Sequence, residues 1–343
     1  MSTPHEIRFP FETPPSEGEA VEVAPGILWA RLPLPMALDH VNVYALDDGD
    51  GWTLIDTGTN NRHCQKALDA LRAGPLAGKP IARVLMTHHH PDHVGQLGRL
   101  AADGAEVLAT RTAWLMARML TLDIQENLTP EAENFYLRAG MDPAILDERR
   151  TSRPFNFADI VAAIPLGFTR IDEGDRLHIG GRDWTVRLGN GHAAHHATLW
   201  SDDGVVIAGD QILPGISPNL GVYPTEPEAD PVGEWLEACT RLRAAAKGPE
   251  LVLPGHKLPF TGVIPRLTQL IENHHTALDR LRAHLAEPRT AHECFQPLYK
   301  RQISGGEYGL ALVEAMGHLN HLFKAGEISR KLRPDGAWAW QIR

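Results

Sequence analysis

The sequence predicts an α/β fold: a sandwich of two strand-rich halves, with a helical insertion at about residues 110–160 and a small C-terminal module. Three observations lead there. Apolar runs of strand length alternate with segments of helical spacing, and two strand-rich blocks are separated by a mostly helical stretch. In addition, four histidine-bearing or acidic motifs each follow directly on an apolar strand.

The elements follow in order. The proline-rich, acidic start, residues 1–19, reads as an N-terminal extension. "VEVAPGILWARLPL", "VNVYALDD" and "GWTLIDTG" are apolar segments, with "DDGDG" as a hairpin turn between the last two. "NNRHCQKALDALRAG" carries Ala67, Leu68 and Leu71 at helical spacing and stops at Gly74. "IARVLMTH" is a buried strand that delivers histidines to a loop, followed by helix "VGQLGRLAADG" and strand "AEVLAT". In the helical stretch Trp114, Met116, Met119, Phe135, Tyr136 and Met141 recur at roughly helical spacing, which suits core packing of an inserted layer. The sharper alternative is an apolar lid over a substrate pocket. Gly180-Gly181 turns a hairpin in "DRLHIGGRDWTVRLGNGH", and strand "ATLWSDDGVVIAGD" continues the block. Helix "PVGEWLEACTRLRAAAKG", strand "ELVLPGH" and a long helix beginning in "LPFTGVIPRL" close the main domain, expected to span 20–286.

Composition narrows the function. The 343 residues suffice for one large domain plus a small one. Three scattered cysteines, Cys64, Cys239 and Cys294, make neither a disulfide framework nor a thiolate cluster, so a reducing compartment and a cytoplasmic location are expected. No apolar run is long enough to span a bilayer, and no signal segment opens the chain. A net charge of −10 argues against a broad nucleic-acid footprint.

The chemistry sits in "THHHPDH", "GNGHAAHH", "AGDQ" and "PGH". Strand ends at one rim of a sheet converge in space although distant in sequence. Residues two apart on an extended segment point the same way, so His88 and His90 can reach one ion, while Asp92 and His93, past the turn at Pro91, can face a neighbouring one. Imidazole and carboxylate without thiolate suit zinc, iron(II) or manganese.

These motifs resemble the metallo-β-lactamase superfamily of binuclear metallohydrolases, over roughly residues 20–285. "HHHPDH" fits its His-x-His-x-Asp-His pattern, and the later motifs come in its order. The resemblance implies a four-layered αββα sandwich. It implies two divalent metal ions, with zinc the first expectation, one held by His88, His90 and His192, the other by Asp92, His93 and His256, and Asp210 bridging both. Room remains between them for a shared water or hydroxide, with Asp92 as the catalytic group that orients the nucleophile or accepts its proton. Asp56 in "LIDTG" resembles the buried family aspartate that supports the metal-binding loop, and His196 resembles a histidine near the site. His40 and Asn42 in "LDHVNVYAL" are expected near the cleft, with a strand-packing or turn role as the alternative, and Tyr223 is expected as an oxyanion donor, with packing as the alternative.

The implied reaction is hydrolysis of a small-molecule thioester or related ester; lactones and phosphodiesters are the alternatives. "GDQILPGISPNLGVYP", "LDHVNVYAL" and the helical C-terminus look like a bacterial glyoxalase-II-like subgroup. Residues 287–343 read as helix, helix and β-hairpin, resembling a winged helix, with eight basic against six acidic residues. That excess of two is small for phosphate binding, so a packing or homodimerisation element is expected, and a metallonuclease or nucleic-acid regulator is the competing class.

Overall fold

The computed structural model describes residues 6–343; His5 and the rest of residues 1–5 lie outside the described residues. A seven-stranded sheet comprises β1 (Val21–Ala24), β2 (Ile27–Pro33), β3 (His40–Asp47), β4 (Trp52–Ile55), β5 (Ile81–Leu85), β6 (Glu106–Ala109) and β7 (Thr169–Arg170), in that spatial order. The first four pair antiparallel and β4 to β7 parallel. A second, six-stranded sheet comprises β8 (Arg176–Ile179), β9 (Arg182–Gly189), β10 (His196–Ser201), β11 (Val205–Gly209), β12 (Leu251–Pro254) and β13 (Phe260–Thr261). A two-stranded hairpin, β14 (Ile328–Leu332) with β15 (Trp338–Ile342), ends the chain.

The helices are α1 (Arg62–Ala73), α2 (Pro91–Val94), α3 (Leu97–Ala102), α4 (Arg111–Leu122), α5 (Pro130–Arg138), α6 (Pro143–Thr151), α7 (Pro231–Ala245), α8 (Val263–His284), α9 (Phe295–Tyr299) and α10 (Tyr308–Lys324). Among the described residues no helix is long and apolar enough to cross a membrane.

The chain forms two compact units that are each discontinuous in sequence. Among the described residues the first takes 6–124, 156–218 and 242–267; the second takes 125–155, 219–241 and 268–343. The first unit is a sandwich of the two sheets. Trp29, Tyr44, Ile55 and Leu85 of one sheet and Trp184, Val186, Leu199 and Ile207 of the other form a single buried cluster, as expected where two apolar faces meet. The outer face of the first sheet packs Leu54, Val84 and Val107 against Leu68 and Leu71 of α1, Leu97 and Leu100 of α3 and Trp114 of α4. Helix α1 starts where Asn61 accepts from the Cys64 amide and stops at Gly74, so its apolar stripe is held at both ends.

The expected α/β sandwich is thus present, and several local readings shift. "VEVAPGILWARLPL", read as one apolar segment, forms two strands, because Gly26 turns back at φ 73° and β1 pairs with β2. The helix expected to begin in "LPFTGVIPRL" starts only at Val263, because Phe260 and Thr261 pair with Val252 and Leu251 as an edge strand. Of the apolar residues expected in an inserted core layer, Trp114 and Phe135 are buried, but Met119 is 42% exposed. The helical stretch also divides, with α4 in the first unit and α5 and α6 in the second.

The topology sets up one rim. Strand β9 pairs antiparallel with β10, β10 antiparallel with β11, and β11 parallel with β12, so β9, β11 and β12 all point the same way. The segments leaving their C-terminal ends carry His192, Asp210 and His256; those leaving β4 and β5 carry Asp56 and His88–His93. Backbone bonds join the two sheets at this rim, from the Ala197 amide to the Thr87 carbonyl at 2.8 Å and from the Asn42 amide to the Gly255 carbonyl at 2.7 Å.

Candidate metal centre

The "THHHPDH" loop leaves β5 extended and then turns into α2, with Pro91 at its first helical position. That break in direction lets residues on either side of Pro91 face different points. His88 Nε2 and His90 Nδ1 stand 3.0 Å apart. His88, His90 and His192 form one group whose donor atoms all lie within 4.8 Å of one another; His88, His93 and Asp210 form a second, and Asp92, His93 and His256 a third. All seven residues expected to ligate are thus brought to one place, in groups that share His88 and His93.

Donor atoms about 2.1 Å from one tetrahedral ion stand about 3.4 Å apart. The separations here match that edge. His93 Nε2 lies 3.5 Å from Asp92 Oδ2 and 3.5 Å from Asp210 Oδ1, and His256 Nε2 lies 3.3 Å from Asp92 Oδ2 and 3.2 Å from Asp210 Oδ2. His192 Nε2 lies 3.6 Å from Asp210 Oδ2. His93 Nε2 and Asp210 Oδ1 are buried and make no hydrogen bond, which is costly for such groups unless a cation satisfies them. The residues present fit divalent metal ions.

The electrostatics point the same way. Burial disfavours charge on Asp92, yet His93 and His256 hold its carboxyl far below the usual carboxylate range. Burial likewise opposes a charged His256, yet Asp210 and then Asp92 push it up to about 10. A buried pair of carboxylates that raises an imidazole this far attracts positive charge, whether proton or metal, and metal binding releases the protons.

Supporting contacts fix which ring nitrogen faces inward. Asp56 Oδ2 accepts from His93 Nδ1 at 2.7 Å and from Thr87 Oγ1 at 2.8 Å, while Asp56 Oδ1 accepts from the Thr87 amide at 2.8 Å. His88 Nδ1 donates to Thr87 Oγ1 at 3.0 Å, since that hydroxyl proton is already given to Asp56. His256 Nδ1 donates to the His40 carbonyl at 2.7 Å. In each ring Nδ1 carries the proton and Nε2 keeps its lone pair for the centre. His196 Nε2 accepts from the Asp210 amide at 3.1 Å, and its ring stacks on His88 with centroids 4.6 Å apart. Burial and His192 lower His196 to about 3, so it stays neutral and acts by orienting Asp210.

His40 does not face the centre with a free ring nitrogen. Its Nδ1 is 2.6 Å from Asp39 Oδ1 and its Nε2 accepts from the Lys257 amide at 2.9 Å, so the ring holds the turn that carries His256. Tyr223 falls in the second unit, where it is 45% exposed.

Of the residues that brace the His256 turn, Asn42 was expected near the cleft or in a turn role, whereas Arg31 and Tyr44 escaped sequence reasoning. Asn42 Nδ2 donates to the carbonyls of Pro254 (2.8 Å) and Lys257 (2.9 Å), and its Oδ1 accepts from Trp29 Nε1 and Arg31 Nε. Arg31 Nη2 donates to the Lys257 carbonyl at 2.7 Å, and Tyr44 to the Pro254 carbonyl at 2.8 Å. Together they brace a turn in which Lys257 has φ 69°. Two glycines make room. A Cβ at Gly255 would collide with Asp210 Oδ1, and one at Gly209, where φ is 48°, would stand 2.5 Å from His196 Cε1.

Comparison with known proteins agrees with this geometry. The sequence pattern of the Metallo-beta-lactamase superfamily matches residues 36–256, which include every residue of the centre. The chain belongs to the metallo-beta-lactamase superfamily. A second pattern, Metallo-beta-lactamase-like, C-terminal domain, matches residues 278–342. A crystal structure of a beta-lactamase domain protein from Burkholderia ambifaria is 35% identical, with 99% of each chain covered and a TM-score of 0.91. A metallo-beta-lactamase family protein from Thermus thermophilus is 27% identical over 94% of this chain and 100% of that one, with a TM-score of 0.79. The probable metallo-hydrolase YqjP of Bacillus subtilis is 27% identical over 86% of this chain and 92% of its own length. For this superfamily member, the likeness extends over both compact units.

Proposed function

We propose that the protein is a binuclear metal-dependent hydrolase of small molecules, with thioesters and related esters as the leading substrate class. The observation that carries the reading is the convergence of seven histidine and aspartate side chains at metal-edge separations around buried, unpartnered donor atoms. The B. subtilis relative described as a probable metallo-hydrolase supports it.

His88, His90 and His192 would hold one ion, Asp92, His93 and His256 the other, and Asp210 would lie between. When bound, two divalent cations lower the pKa of a water to supply hydroxide and polarise the substrate's scissile carbonyl; zinc fits this donor set first, and iron or manganese also fit. The chain's own residues do the rest. Asp92, ionised at neutral pH, is the acceptor that orients the attacking water and takes its proton. Asp56 and the His40 carbonyl fix the inward nitrogens of His93 and His256, so little reorganisation is needed when substrate arrives.

Water as nucleophile also agrees with the cysteines. All three are buried, and burial pushes the Cys64 thiol up to about 11 and the Cys294 thiol up to about 12, so neither offers a thiolate at neutral pH. The test is turnover of the metal-loaded protein on acyl thioesters, lactones, phosphodiesters and RNA. Selective thioester or lactone hydrolysis is expected; RNA cleavage alone, or no hydrolysis of any of them, would overturn the reading.

A further inference from the structure

The second unit contains a cleft of about 560 Å³, within the range of small-molecule sites, bordered by the end of α8, the segment 289–293 and the residues around α9. Its lining collects Arg289, Lys300 and Arg301 with His292, against a single carboxylate, Glu293. In a chain with a net charge of −10 this is a local excess of cations.

Two of these cations are uncommitted. Arg289 is fixed through its backbone, donating to and accepting from Trp340 at 2.9 and 2.7 Å. Its guanidinium has no ion-pair partner among the described residues, and its Nε is buried without a hydrogen bond. A buried guanidinium nitrogen left unsatisfied costs free energy, which a bound anion would recover. Lys300 likewise has no ion pair among the described residues, and it closes α9 in the left-handed region at φ 57°, a strained position for a lysine. Arg301, by contrast, is already engaged with Glu307 at 2.6 Å.

The remaining walls add a donor and an aromatic surface. The Tyr308 hydroxyl accepts from the Asp142 amide at 2.8 Å and so gives its own proton to His292 Nδ1 at 2.6 Å, which leaves Nε2 of His292 as an N–H donor. Phe295 lines the same cleft and packs tilted against His292 and edge-on to Tyr308, with centroids 5.1 and 5.4 Å away.

We infer that this cleft binds a phosphorylated small molecule, with its phosphate at Arg289 and Lys300 and a flat apolar portion toward Phe295. Arginine's planar fork matches phosphate oxygens in pairs, and lysine adds a point charge. The expectation for a net acidic protein with little excess charge in residues 287–343 is no extended polyanion surface; a site for one phosphate needs only the local pair.

The test uses the full-length protein and three probes, adenosine monophosphate, inorganic pyrophosphate and uncharged adenosine, followed by calorimetry with and without chelator treatment. Saturable binding of adenosine monophosphate is expected, displaced by pyrophosphate, retained after chelation and weakened about tenfold or more by R289Q. K300Q, at an exposed position, is expected to weaken it too and serves if R289Q fails to fold. Four results would overturn the inference: no saturation by any probe at millimolar concentration, binding lost on chelation, binding unchanged in the folded variants, or equal binding of adenosine. Steeply salt-dependent binding of a single-stranded RNA without mononucleotide binding would also overturn it, in favour of a nucleic-acid surface.

Discussion

The Asp56 carboxylate lies 2.7 Å from Nδ1 of His93, with both side chains buried, and the same oxygen accepts the Thr87 hydroxyl. One carboxylate therefore sets the ring orientation of His93 and, through Thr87, that of His88. Asp56 itself sits in the left-handed region at φ 60°, which asparagine also tolerates, so D56N keeps the backbone while removing the charge. Metal affinity is expected to fall about 10- to 100-fold, read by chelator competition, with the fold retained. Unchanged affinity would show that the contact does not act on the centre.

Gly255 precedes His256 and backs directly onto Asp210. G255A is expected to displace Asp210, because the Asp210 carboxylate, the His93 ring and the Gly209 backbone leave no room for a methyl group. Turnover should drop by more than about 100-fold while the circular dichroism spectrum stays that of the parent. Near-normal turnover would mean that Asp210 can shift without consequence.

Alanine in place of Asp210 or His93 is expected to abolish turnover with the sandwich intact, since each supplies a donor to the centre and neither belongs to the apolar cluster between the sheets. A saturating kinetic assay beside a melting curve separates the two effects. Full activity in either variant would remove the two-metal mechanism.

In the second unit Glu314 carries a carboxyl that burial raises to about 7, although Tyr299 and the Asn219 amide, 3.1 Å away, favour its charged form. A folded-state value above the ordinary one means that the native state binds the proton more tightly, so this contribution is present in acid and lost as pH rises through 7. The melting temperature of the parent relative to E314Q is expected to fall between pH 5 and pH 8. A constant difference across that interval would show that Glu314 is not protonated in the folded protein.

Much of this was legible in the sequence, for physical reasons. Gly180 and Gly181 announce a hairpin because two successive residues at φ 60° and 67° all but require glycine. The gathering of histidines and aspartates at one rim was legible because the motifs that carry them each follow an apolar strand, and strand ends converge. The bracing of the His256 turn by Arg31 and Tyr44 was not, because they act on backbone carbonyls, and a carbonyl is the same at every residue. Of the two roles the sequence left open for His40, the contact with the Lys257 amide is the turn role. The division of the helical stretch between the two units depends on tertiary packing, to which the period of an isolated helix is blind.

The most direct measurement is metal stoichiometry by mass spectrometry on the purified, metal-replete protein, beside H90A and H256A. Two ions per chain in the parent and about one in each variant are expected, because His90 and His256 fall in different donor groups. Fewer than one ion per chain in the parent, or two retained in both variants, would contradict a binuclear centre built from these residues.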